Sequence, residues 1–85
     1  MNVSANIKAR FSQEEAHSKL GKMIVSLAEF SGVPKGTSGK VARIDKMGKT
    51  PEEWDVEIEW NLPERFKPLT DWFTKGEYER YLREV

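Results

Sequence analysis

The chain has 85 residues, no cysteine, and 14 basic against 14 acidic side chains, for a net charge of zero. That length predicts one domain, residues 1–85, burying only about 60–65% of its unfolded surface, and the lack of cysteine excludes disulfides and thiolate metal sites. Three tryptophans, four phenylalanines and two tyrosines supply large apolar area per residue instead.

Residues 1–10 carry no strong periodicity and form a candidate flexible start. The opening MNVSANIKARF lacks the apolar run of a signal peptide. The main apolar patch, MIVSLAEF, is too short to span a bilayer. A soluble, cytoplasmic protein with no membrane partner is therefore expected.

FSQEEAHSKLGK reads as a short N-terminal helix. Ser12 is a good N-cap and Glu15, three residues on, completes a capping box. Glu14 and Glu15 sit near the positive end of the helix dipole, and Lys19 near the negative end. Gly21 is placed for a left-handed C-terminal cap. Ala16 and Leu20, four residues apart, form the face expected to pack down. His17 is the one histidine and reads as a solvated side chain rather than a base or ligand.

A strand is expected over 22–30, followed by SGVPKGTSG. Val33-Pro34 forces extended backbone, and Gly32, Gly36 and Gly39 permit positive φ. A Walker A loop needs a different spacing and a helix after it. Here Gly-Lys runs into β-branched residues, so a turn is expected and nucleotide-phosphate binding is not.

Strands over 40–47 and 54–60 form the clearest pair, joined by a GKTPEE hairpin loop. Trp54, Val56, Ile58 and Trp60 alternate to a core face, and Asp55, Glu57 and Glu59 to a face expected in water. A register summing to about 100 sets Ile44 opposite Val56, Arg43 opposite Glu57 and Ala42 opposite Ile58. It leaves Val41 on the polar side. NLPERFKP is a turn-rich connection, and a strand is expected over 69–73. A second capped helix follows, with Thr74 as N-cap, Glu77 completing the box, a Phe73–Tyr78 staple, and a stripe of Tyr78, Tyr81, Leu82 and Val85.

VPKGTSGKV, leading into a hydrophobic strand, resembles the loop of small bacterial SH3-like barrels, including the KOW-type domains of transcription and translation factors. Their loop has the form G-x-x-G-x-V, met here by Gly36, Gly39 and Val41, and the resemblance covers about residues 21–60. It implies a mainly β fold, a small antiparallel SH3-like barrel, with the two short helices at its ends. KOW-type relatives bind nucleic acid or ribosomal protein. The acidic strand 54–60 and the capped C-terminal helix depart from that pattern. No characterised activity attaches to the ending DWFTKGEYERYL.

Charge divides the chain. Residues 1–49 hold nine Lys/Arg against four Asp/Glu, and residues 50–85 five against ten. Basic and acidic strands pairing within one sheet is the plainer reading; a basic face for nucleic acid is the alternative. Lys35, Lys40, Arg43, Lys46 and Lys49 are its candidate contacts, reaching phosphates from a Gly-rich loop and strand. Trp54, Trp60, Trp72 and Phe73 are the candidates for a peptide groove, or else core. Glu57 and Glu59 lie about 7 Å apart on one strand face, a spacing that suits paired carboxylates but more often marks the wet side of a sheet.

The sequence therefore points to a non-enzymatic interaction module that binds a protein partner or associates with itself, without metal or cofactor. A nucleic-acid-binding accessory domain is the alternative. An enzyme formed by oligomerisation comes last: plasmid-borne type II dihydrofolate reductases build one from SH3-like barrels, but their pore-lining stretch has no match here.

Overall fold

A computed structural model describes residues 9–30, 32–62 and 67–85 of the chain. Most of the candidate flexible start lies outside the described residues, as do Ser31 of the turn and residues 63–66 of the turn-rich connection. The elements in chain order are α1 (Gln13–Lys19), β1 (Met23–Ser26), β2 (Ser38–Lys46), β3 (Trp54–Trp60), β4 (Leu69–Phe73), α2 (Lys75–Tyr81) and β5 (Leu82–Glu84). The strands form one antiparallel sheet in the order β4-β3-β2-β1-β5. The fold is mainly β with two short helices. The sheet is not closed: β4 and β5 are its two edges, joined through α2.

Both capping boxes form. In α1, Glu15 N–H donates to Ser12 Oγ at 3.1 Å and Ser12 N–H to Glu15 Oε1 at 2.9 Å. Thr74 and Glu77 repeat the arrangement in α2. Seven-residue helices are too short to stand alone, so each depends on what it packs against. Ala16 is fully buried, but Leu20 is exposed. It caps the helix instead of extending its apolar face, because the chain turns at Gly21 (φ 83°) and donates Gly21 N–H to the Val41 carbonyl.

The strand expected over 22–30 ends at Ser26. Ser26 is buried, and its hydroxyl donates to the Pro34 carbonyl and accepts from Thr37 N–H. Gly36 N–H donates to the Ser26 carbonyl. Gly36 and Thr37 thus bond back to the end of β1, which makes the loop a strand reversal. Gly32 (φ 79°) and Gly36 (φ 90°) supply the left-handed residues. Gly39 does not: it lies in β2, where a Cβ would stand 2.9 Å from the Glu59 carbonyl oxygen and 3.0 Å from the Trp60 ring. Glycine is needed there for close approach.

Ile44 faces Val56 and Arg43 faces Glu57, as the register required. The expected Ala42–Ile58 pair does not form. The register shifts between Val41 and Arg43, so Val41 opposes Ile58 and Ala42 is the extra residue of a bulge. The bulge turns Val41 inward, where it is 1% exposed.

The core unites Phe11, Ala16, Ile24, Val33, Val41, Val56, Ile58, Trp60, Phe73, Tyr78 and Leu82. Trp54 is only half-buried at its margin. Phe73 and Tyr78, the expected staple, are both in the core, where Tyr78 meets Phe11 edge-on at 5.7 Å and Phe73 meets Phe30 at 5.4 Å. The helical stripe is also cut short. Helix α2 ends at Tyr81, and Leu82–Glu84 becomes β5 on the free edge of β1, which leaves Val85 exposed.

Candidate functional site

The candidate nucleic-acid contacts do not form one patch. Lys35 is exposed in the turn before β2, whereas Lys46 and Lys49 are exposed at and beyond its far end. A nine-residue strand separates the two groups by about 25–30 Å. Between them, Arg43 Nε donates to Glu57 Oε1 at 2.7 Å, and Lys40 Nζ stands 3.9 Å from Glu59 Oε1. Each of these two cations faces an acidic partner on the neighbouring strand.

Those carboxylates depart from the watery face assigned to them. Glu57 and Asp55 are buried and Glu59 is half-buried. Glu57 is covered by Arg43, whose guanidinium lies 5.8 Å from the centre of the Trp72 ring, and by Trp72 itself, its direct neighbour on β4. Arg43 holds the Glu57 carboxyl below its ordinary range, against the opposing effect of burial. Asp55 accepts from Arg10 at 2.9 and 3.2 Å. Burial nonetheless pushes its carboxyl up, outweighing Arg10, and Glu77 adds a smaller push in the same direction. Glu57 and Glu59 thus each face a cation of β2.

The four residues of the expected aromatic groove also part company. Trp60 and Phe73 belong to the core, Trp54 lies against His17 with ring centres 6.0 Å apart, and Trp72 is on the opposite side of the sheet. His17 is exposed, with Nδ1 3.0 Å from the Gln13 carbonyl oxygen. Among the described residues no group of three His, Asp or Glu side chains could hold a metal ion. No described helix is long and apolar enough to cross a membrane.

Concavities lined by described residues include three that differ in chemistry. One of about 520 Å³ is a shallow hollow beside α1, lined by Gln13, Glu14, His17 and Ser18. A second, of about 420 Å³, lies on the outer sheet face and contains Arg43, Glu57, Glu59 and Lys67, so its charges already answer one another. The third is smaller, about 200 Å³, and different in kind. It is lined by Phe30, Asp71, Trp72, Phe73, Glu77 and Tyr81. Four aromatic residues and two acidic ones line it, none of them basic; the Phe30, Phe73 and Tyr81 rings lie together on the core side, while the Trp72 ring is turned to the other side of the sheet.

Each wall of this cleft is fixed by the fold. Phe30 and Val33 exchange backbone hydrogen bonds at 2.9 and 2.8 Å, which holds the Phe30 ring over β4. That ring meets Tyr81 edge-on at 5.9 Å and Trp60 at 6.0 Å. Leu27 N–H donates to the Tyr81 carbonyl at 2.7 Å and ties the loop to the end of α2. Glu77 and Tyr81, four residues apart, lie on one helix face. The Trp60 indole N–H donates to Asp71 Oδ2 at 2.8 Å and fixes that carboxylate at the sheet edge.

Sequence reasoning found Trp72 and Phe73 but missed Phe30, Tyr81, Asp71 and Glu77. Tyr81 was legible as part of an apolar stripe and Glu77 as a cap; nothing local shows that the helix, the edge strand and the loop after β1 converge. Comparison with protein-family models, with curated proteins and with solved structures finds no match to this chain.

Proposed function

We propose that the chain is a small non-enzymatic interaction module, one domain on an SH3-like barrel plan, that binds a protein partner at the cleft between β4, α2 and Phe30. The barrel plan is supported by the strand order, in which β5 returns to β1 after a helical crossover from β4. Laid flat, four strand spacings would part these edges by about 19 Å, whereas a seven-residue helix spans only about 10 Å. A strongly curled sheet accommodates that connection.

The observation that carries the functional reading is the aromatic lining of the cleft. Phe30 and Tyr81 are half-buried, so apolar ring surface reaches solvent beside an edge strand, where peptides dock. The volume lies below the about 300–1,000 Å³ of small-molecule sites, which favours a protruding side chain over a cofactor. Nucleic-acid binding loses its main support, because the basic residues are divided between the ends of β2 or paired along it.

Peptides selected from a random library on the immobilised chain test this. Their binding should fall at least tenfold in Tyr81→Ala, with the melting transition still cooperative. If selection recovers nothing, or the peptides bind Tyr81→Ala as well as wild type, the cleft is not the site.

A further inference from the structure

Resting on that interaction reading, we infer that the cleft receives a cationic side chain, arginine or lysine, from the partner. The cleft joins negative charge to an aromatic surface. The lining carries Asp71 and Glu77, and none of its residues is basic. The outer-face groove differs, since each of its carboxylates already meets a cation on the same sheet.

The two carboxylates keep acceptor capacity. Asp71 uses Oδ2 for the Trp60 indole, and Glu77 uses Oε1 for the Thr74 N–H. The second oxygen of each offers a charge-assisted hydrogen bond to an ammonium or guanidinium group. The rings supply the other half of the attraction, because a cation over an aromatic face gains from the ring quadrupole. Tyr81 already shows this preference within the chain: the Arg80 guanidinium carbon lies 5.7 Å from its ring centre. A planar guanidinium can stack on a ring while its edge meets a carboxylate, so arginine is expected to bind more tightly than lysine. A carboxylate side chain would be repelled by both acids, and a plain aliphatic chain would reach only the rings.

The test uses three capped heptapeptides of glycine and serine that differ only in the central residue: arginine, norleucine or glutamate. Each is titrated into isotopically labelled full chain and followed by the Phe30 and Tyr81 amide resonances. The arginine peptide should bind at least about fivefold more tightly than the norleucine peptide, in keeping with one cation–aromatic contact plus one carboxylate. The glutamate peptide should not bind. Higher salt should weaken the arginine peptide. The double variant Asp71→Asn, Glu77→Gln should erase the arginine preference. Asparagine still accepts from Trp60 and glutamine still completes the capping box, so the fold is retained.

Equal binding of arginine and norleucine, or an arginine preference that survives the double variant, would overturn the inference. The interaction reading would then stand if library-selected peptides still depend on Tyr81. If no peptide of either kind binds, both fall together.

Discussion

Along β3, Val56, Ile58 and Trp60 turn to one side of the sheet and Asp55 and Glu57 to the other, and all five are buried. The means differ. On the first side, apolar groups from the helices, the β1–β2 turn and four strands close over the strand. On the second, the cover comes from a few long side chains, Arg10, Arg43 and Trp72, laid across the carboxylates. Removing apolar area from water stabilises roughly in proportion to that area. Removing carboxylates from water costs about what their ion pairs return. One strand thus contains a stabilising face and a nearly balanced one, and strand alternation alone says only that they are different.

Truncating the apolar side gives the largest expected effect. Ile58→Ala should cost about 2–4 kcal/mol in chemical denaturation, the range for a buried isoleucine cut to alanine. A loss below that seen for changes on the acidic side would abolish the distinction between the faces.

Adding atoms to the apolar side comes next. Gly39→Ala should destabilise by about 1–3 kcal/mol, as overpacking does, because its Cβ would press on the Glu59 carbonyl, Ile58 and the Trp60 ring. Gly36→Ala should also destabilise, through its left-handed φ of 90°, although space is open around it. Gly36→Asn should cost less than Gly36→Ala, because asparagine tolerates the left-handed region, whereas Gly39→Asn should cost more than Gly39→Ala; the same order at both sites would fail to separate crowding from backbone strain.

The smallest effects should divide the acidic side itself. Glu57→Gln should cost about 1–2 kcal/mol near neutral pH, since a charge-assisted bond weakens. The folded-state pKa of Glu57 lies below its ordinary 4.5. Its contribution is therefore complete above the unfolded value and lost as pH falls through the folded one. The gap between wild type and Glu57→Gln should close in acid. Asp55 has the opposite sign, with a folded-state pKa above 3.8. Its charge opposes folding at neutral pH, so Asp55→Asn should leave stability unchanged or slightly raised there, with any gain disappearing in acid. Denaturation series at pH 3 to 7 check both. Parallel pH curves for the two variants would show that burial and pairing do not set these carboxylates apart.

Much of the scaffold was legible from local pattern. Both capping boxes form where Ser12-Glu15 and Thr74-Glu77 stand, because three-residue spacing is enough for side chain and backbone to reach each other. The alternation from Trp54 to Trp60 marks a strand, and the Arg43–Glu57 pairing follows from its register with β2. Of the candidate site, only Trp72 and Phe73 were visible, as aromatic residues of an expected strand.

Chain order, helix caps, strand periodicity and the Gly36 turn were determined by the sequence itself, since each rests on contacts within a few residues. The bulge at Ala42, the burial of Asp55 and Glu57, the switch from helix to strand at Leu82, and the meeting of Phe30 with Tyr81 and Asp71 were decided only by tertiary structure. Each depends on residues brought together from distant parts of the chain. A bulge forms when it turns Val41 into the core, a carboxylate tolerates burial when an arginine reaches it, and a helix yields when an unpaired strand edge offers its backbone better partners. No local pattern carries those conditions, because the energy that settles them is paid and recovered across the sheet.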